Sequence, residues 1–338
     1  MANTLRPVIS SFLNGETFQF PVRNRRTVEI GLGVNTLTRK FLSQLLLDDK
    51  LEQYLSLSYR QQKKLIAQLA QSAYPDDLIF KQLGAGIYDT YFDGKQEPYD
   101  DFNEICYEIF VNRGYETIDK AAFIRNTGVS ICPYCGKDEV IESDRSKRQI
   151  DHYLPKRKYP FLALCYYNLI PACDLCNEVP NKGTNDPLAE QIKGNVVMHP
   201  YGLNEDIVRY HVDIADVNVY DPSNFDVILG FSDKQYLDGY DKFFDLSDRY
   251  KTCRQEASED YIRLMEFKDL TRYTGMQIDP LWLQGAYTMV MGYAPNSGKP
   301  TIKRLHRMRQ NFFEQLNHLR KSLPYYVKGR GNSQVILD

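Results

Sequence analysis

Two Cys-x-x-Cys pairs, Cys132/Cys135 and Cys173/Cys176, stand 37 residues apart in this chain and constrain it more than any other feature. Thiolates two residues apart can aim at one cation from a tight knuckle, and two such knuckles complete the tetrahedron of a structural Zn2+. The segment between them must leave the first knuckle and return to the second, which suits two short strands and a loop. A unit that small has little core of its own, so a metal staple is physically reasonable.

Two other chemistries use cysteines at this spacing. Cys132-Pro133-Tyr134-Cys135 is similar to the dithiol motif of glutaredoxins, but that motif opens a helix after the first strand of a compact βαβ fold, and here residues 1–131 precede it. A deaminase zinc site needs His-x-Glu upstream of Pro-Cys-x-x-Cys, and no His occurs before His152. Structural zinc on Cys132, Cys135, Cys173 and Cys176 is therefore the expectation. The remaining cysteines, Cys106, Cys165 and Cys253, form no close pair and read as buried apolar residues rather than a disulfide framework.

At 338 residues the chain exceeds one typical domain. No apolar run approaches the ~20 residues that span a bilayer, and residues 1–7 lack the basic start and apolar core of a signal peptide. A cytoplasmic protein with no membrane partner is expected. The formal net charge of −2 does not describe a protein that coats nucleic acid through its overall field. Positive charge is instead local: over residues 145–158, Arg145, Lys147, Arg148, Lys156, Arg157 and Lys158 face one acid, Asp151. A solvated loop explains such a run, but beside Asp151-His152 it reads as a nucleic-acid contact, with Arg148, Lys156, Arg157, Lys158 and Lys182 as candidates.

Three regions follow from the patterning. Residues 1–128 read as mainly helical: Leu37, Phe41, Leu42, Leu45 and Leu46 share one face after a Thr36 cap, and Phe102, Ile105, Ile109 and Phe110 repeat the pattern. Gly31-Leu32-Gly33 and Gly84-Ala85-Gly86 lack the third glycine of a dinucleotide fingerprint and read as turns. Residues 129–200 hold both knuckles, a turn at 143–148, a short strand ending near Asp151-His152, a second over 167–171, and a helix starting near Cys173 or Asp174. Residues 201–338 are mixed but mostly helical, with strands at 209–214 and 225–231. A helical stripe of Leu305, Met308, Phe312, Leu316 and Leu319 follows, then a loose tail from about residue 329. The other face of that stripe carries Lys303, Arg304, Arg307, Arg309, Arg320 and Lys321 and reads as solvated. His199, His211, His306 and His318 have no partner motif and read as structural.

Hydrolysis of a phosphodiester needs a base for water, a cation on the phosphate, and relief of charge on the leaving 3′ oxygen. His152 supplies the residue type for the first. Asp151 and Asn177 are oxygen donors for Mg2+ or Mn2+, which take few protein ligands. Neighbours on a strand point to opposite faces, so Asp151 and His152 serve one site only where the strand ends or bends, and Leu154-Pro155 makes such an exit. Asn168 ties the loop to the strand or orients the imidazole. Tyr153, Tyr159, Tyr166 and Tyr167 cluster around these residues in sequence; packing is the commoner fate of such tyrosines, and they do not choose DNA over RNA.

Taken together, Cys132-Pro-Tyr-Cys135, Ile150-Asp-His152-Tyr-Leu-Pro155, Asn168-Leu-Ile-Pro-Ala-Cys173, Cys176-Asn177 and Lys182-Gly183 resemble the HNH endonucleases, the ββα-metal or His-Me finger family. The resemblance covers about residues 131–188. It implies an α+β protein in which a zinc-stapled ββα-metal nuclease module sits between mainly helical regions. It assigns metal binding to Asp151, the general base to His152, a structural role to Asn168 and completion of the metal site to Asn177. One departure is that Glu178-Val179-Pro180-Asn181 separates Asn177 from Lys182, which leaves Asn181 as an alternative ligand. The flanks, with Tyr159-Pro-Phe-Leu-Ala163 and His199-Pro-Tyr201, resemble HNH subunits of bacterial anti-phage systems, Septu-type and retron-linked, that work beside an ATPase. The implied activity is metal-dependent endonucleolytic cleavage, with DNA as the default substrate and tRNA or other structured RNA as the rival. The contrasting class is a non-catalytic zinc module binding nucleic acid or protein, which has no use for Asp151 and His152 together.

Overall fold

A computed structural model describes residues 1–14, 36–73, 99–140, 150–202, 207–215, 218–273, 280–291, 305–316 and 325–326. The turns read at residues 31–33, 84–86 and 143–148 lie outside them, as do Arg145, Lys147, Arg148, Lys303, Arg304, His318, Leu319, Arg320, Lys321, the tail from residue 329 and the side chain of Leu37. The described residues form helices and two small antiparallel sheets. They divide into two compact units, each built from three stretches of chain. The first comprises Met1–Asn126, Arg148–Pro171 and Thr184–Lys193; the second comprises Thr127–Lys147, Ala172–Gly183 and Gly194–Asp338.

In the first unit the helices Ala2–Leu13, Thr36–Leu45, Lys50–Leu55, Tyr59–Ala73 and Tyr99–Cys106 precede one π-helical segment, Tyr107–Asn112. The expected stripes face inward: Phe41, Leu42, Leu45, Phe102, Ile105, Ile109 and Phe110 are buried, and Leu46 is half-buried. Their rings form one cluster, with Phe41 edge-on to Tyr54 at 5.8 Å and to Phe102 at 5.5 Å. Phe102 in turn meets Phe161 at 5.6 Å, so the helical core extends to the loop that joins the two strands of this unit. Each such buried ring contributes about 1.5–3 kcal/mol of transfer free energy. Close approach at Gly114 is part of this packing, since a Cβ there would lie 2.5 Å from Leu164 Cδ1.

Strands β1 (Ile150–His152) and β2 (Leu169–Pro171) pair antiparallel, with Ile150 opposite Pro171, Asp151 opposite Ile170 and His152 opposite Leu169. All six residues are buried. The second strand is shorter than its apolar run suggests because Tyr166–Asn168 turns as a 3-10 helix, from which the Asn168 carbonyl accepts the Tyr153 N–H at 2.9 Å.

In the second unit β3 (Val208–Ile214), β4 (Phe225–Phe231) and β5 (Tyr325–Tyr326) form one sheet in that order. The register of β3 on β4 runs from Val208 opposite Phe231 to Ile214 opposite Phe225, matching the two strands expected there. β4 alternates as a half-buried strand should, with Phe225, Val227 and Leu229 inward and Asp226 outward. The free edge of β3 is covered by the helix His306–Leu316, whose side-chain amides replace a neighbouring strand. Asn311 Oδ1 accepts from Tyr210 N at 2.9 Å, and Gln315 both accepts from Val212 N at 3.0 Å and donates to Val212 O at 2.7 Å. Leu305, Met308 and Phe312 are buried as the stripe predicts. Arg309 is not solvated as read: it pairs with the buried Asp260 at 2.7 Å. Among the described residues no helix is long and apolar enough to cross a membrane.

Candidate metal centre and the Asp-His hairpin

Cys132, Cys135, Cys173 and Cys176 are all buried in the second unit, with their sulfurs within 4.8 Å of one another. A tetrahedron with Zn–S bonds of about 2.3 Å has edges of about 3.8 Å, and Cys135 Sγ and Cys173 Sγ stand 3.9 Å apart. The donor set is all thiolate and closed, which fits structural zinc.

Local backbone makes each knuckle. Gly136 takes the left-handed conformation (φ 65°) and returns its N–H to Cys132 O at 2.7 Å. That turn aims the amides of Lys137 and Asp138 at Cys135 Sγ, both at 3.5 Å. Cys173 opens the short helix Asp174–Asn177, and Cys176 O accepts from Lys182 N at 3.1 Å. Burial pushes the Cys132 and Cys176 thiols well above their ordinary range. Burial opposes the Cys135 thiolate too, but hydrogen bonds from the other three cysteines and the charge of Arg249 outweigh it and hold that thiol well below its usual value.

Residues far along the chain grip the first knuckle. Tyr240 OH donates to Tyr134 O and Tyr250 OH to Cys135 O, each at 2.6 Å, and Leu305 N donates to Gly136 O at 2.8 Å. The Tyr134 ring stacks on Phe244 at 4.5 Å. The cysteine motif carries no sign of these partners, and hydrophobic spacing marks them only as core.

Asp151, His152 and Asn168 belong to the first unit. Asn168 is wholly buried and uses all of its amide: Oδ1 accepts from Leu154 N at 2.6 Å, while Nδ2 donates to Leu154 O at 3.2 Å and Leu162 O at 3.1 Å. It therefore ties the exit of β1 to the loop leading into β2. His152 Nε2 lies 3.1 Å from Ala163 O. A carbonyl only accepts, so this contact places a proton on Nε2. Tyr115 lies edge-on to the imidazole at 4.4 Å between ring centres and donates its hydroxyl to Ile150 O at 3.2 Å. Burial, then the nearby Glu116 and Asp151 charges, push the Tyr115 phenol above its ordinary value. The ammonium groups of Lys156 and Lys120 stand 4.6 and 4.8 Å from the centre of the Tyr115 ring. Asp151 and His152 are only 4% and 7% exposed.

The remaining candidates differ in what they offer. Asn177 is the half-buried last residue of its helix, in the second unit. Pro180 lies beyond that helix, and Asn181 donates to Leu175 O at 2.5 Å. Of the basic residues, Arg157 is exposed and Lys156 is half-buried and paired with Glu116 at 3.0 Å. Lys158 pairs with Asp186 at 2.9 Å, Lys182 is fully buried, and Arg148 lies outside the described residues. Tyr153 and Tyr159 are buried, whereas Tyr166 and Tyr167 are exposed. His211 pairs with Asp213, His306 is buried, and His199 packs near Tyr201. Cys106, Cys165 and Cys253 are buried and form no disulfide among the described residues.

No family model matches the chain, and no solved structure matches it. Among curated proteins the chain is similar to the Septu protein PtuB of Bacillus thuringiensis, with 35% identity over 69 residues. The aligned part is 20% of this chain, and the chain spans 25% of that protein's length.

Proposed function

We propose that this chain is a metal-dependent HNH-type endonuclease that cleaves phosphodiester bonds of nucleic acid, DNA by default, as the effector of a bacterial anti-phage system. The partial likeness to a Septu protein supports the defence setting, and the resemblance of the flanking segments to HNH subunits of such systems implies an ATPase as the partner. One observation carries the catalytic reading. His152 sits on a two-stranded hairpin whose exit is tied down by the Asn168 amide, and its Nε2 is held by a backbone carbonyl. A ring oriented through Nε2 by a backbone carbonyl is positioned as a general base requires.

In this reading His152 would take a proton from the attacking water at Nδ1. Asp151 and, from its place in the sequence motif, Asn177 would hold Mg2+ or Mn2+ through oxygen. The ion, when bound, would polarise the scissile phosphate and offset charge on the leaving oxygen. Asn168 and Tyr115 would keep the imidazole in place. Arg157 and Lys156 would meet substrate phosphates. The four cysteines would hold zinc as a structural element only.

A second reading, a zinc-stapled binding module without catalysis, is favoured by the burial of Asp151 and His152. One experiment separates the two. Metal-stripped protein is supplied with Mg2+ or Mn2+ and incubated with plasmid, single-stranded DNA and total RNA, beside His152→Ala, with and without the partner ATPase. Cleavage by the native chain and its loss in the variant support the nuclease, and the substrate consumed chooses DNA or RNA. Equal survival of every substrate with both proteins sinks it in favour of the binding module.

A further inference from the structure

Four thiolates around a divalent cation leave two uncompensated negative charges, and this cluster is buried, where such charge is costly unless it is paired. The backbone amides of Lys137 and Asp138 supply only partial positive charge, and both point at Cys135. A full positive charge comes from outside the motif. Arg249, in the last turn of the helix Leu246–Lys251, lies with Nη1 3.0 Å from Cys176 Sγ and Nη2 3.8 Å from Cys173 Sγ.

The guanidinium is held there from several sides. Its Nη1 also donates to Phe244 O at 3.2 Å, and Nη2 pairs with the Asp138 carboxylate. The backbone of the same turn is fixed as well: Arg249 O accepts from Lys137 Nζ at 2.9 Å, and the adjacent Tyr250 reaches Cys135 O. Asp138 Oδ2 lies 3.8 Å from both Cys135 Sγ and Cys173 Sγ, an approach that would be repulsive between a carboxylate and thiolates with no cation between them. The two partners differ in exposure. The Arg249 side chain is 11% exposed and that of Asp138 is 30%, so water screens the carboxylate more than it screens the guanidinium.

We infer that Arg249 is the built-in counter-ion of the four-cysteine metal centre, donating to the thiolates of the second knuckle so that the site holds its metal more tightly than four cysteines alone. Asp138 orients the guanidinium. An arginine suits the position because its planar fork reaches a sulfur, a carbonyl and a carboxylate at once, which a lysine ammonium on a flexible stem does not do. The inference rests on reading the cysteines as a zinc site.

The test uses the full chain loaded with one equivalent of Zn2+ and titrated with a chromophoric chelator, with zinc content measured separately by elemental analysis. Partners of metal ligands typically change affinity by about tenfold to a hundredfold when removed, so Arg249→Gln should lose zinc affinity by about that factor and release zinc faster. Arg254→Gln, which removes an exposed arginine paired with Asp226, should match the native chain. If Arg249→Gln fails to fold, Arg249→Lys decides, since it keeps the charge but not the fork and should still release zinc several-fold faster. Native-like affinity in whichever Arg249 variant folds, at full zinc content, overturns the counter-ion while leaving the zinc site standing. A native chain that holds no zinc overturns both.

Discussion

The Asp-His hairpin of the first unit and the cysteine cluster of the second are both short pieces of chain, yet different forces hold them. The hairpin pairs three residues with three and is secured by one wholly buried amide, the edge of one tyrosine and a ring contact into a helical core. The cysteine cluster brings together four sulfurs, one guanidinium and two tyrosine hydroxyls from distant parts of the sequence. Apolar burial suffices where a helical core adjoins the motif. Where it does not, polar and charged groups with exact partners take over, and these are valuable only while every member is present.

That contrast predicts unequal responses, the largest of them to metal. Stripping zinc, or Cys176→Ser, should remove on the order of 10 kcal/mol from the second unit. Amide exchange should then show residues 127–140 and 237–253 losing protection while the helix Tyr99–Cys106 keeps it; simultaneous loss in both units would erase the contrast. Next comes His152→Ala, for which cleavage should fall by about 10²–10⁴-fold with zinc content unchanged, as product formation and elemental analysis can establish. A fall in zinc content would mean that the hairpin and the metal centre are not separable.

Asn168→Ala should then destabilise the first unit by about 2–4 kcal/mol, because three hydrogen bonds are lost and the buried N–H and carbonyl of Leu154 are left without partners, while Leu162 O keeps the Cys165 N–H. Urea denaturation with and without bound zinc measures it, and an unchanged midpoint would deny Asn168 its structural role. The smallest effects are in pH. Burial of Tyr59, with Asp186 adding to it, pushes its phenol up to about 12 against an unfolded value near 10. The folded first unit therefore keeps a proton that the unfolded chain releases, and its stability should be intact below pH 10 and fall between pH 10 and 12. His306 in the second unit behaves oppositely: burial, then Arg307, lowers its pKa below 6.5. Its contribution should be complete above that value and fade as the pH drops through the folded pKa. The urea midpoints of Tyr59→Phe and His306→Gln, compared with the native chain on the two sides of neutrality, check both signs.

Much of the local structure is legible without coordinates. The strands β3 and β4 follow from period-two alternation, and the buried faces at Phe41, Phe102 and Met308 from helical spacing, because one face of each element must leave water. The cysteine cluster is legible for a chemical reason: thiolates at that spacing have few other uses. Arg309 departs from its sequence pattern because charge on a helix usually faces solvent, and only the position of Asp260 turns it inward.

Residue order alone settled which groups can act: four sulfurs for a metal, an imidazole and a carboxylate side by side, and an asparagine at the loop exit. Local chemistry and short-range geometry suffice for that much. The tertiary structure decided what surrounds them: the ring of Tyr115 against His152, the amide of Asn168 spanning the loop, and the guanidinium of Arg249 over the thiolates. Arg249 stands 73 residues from Cys176, and no local periodicity carries information across such a distance. A charge finds its partner there only because folding removes both from water and makes pairing the cheapest way to keep them buried.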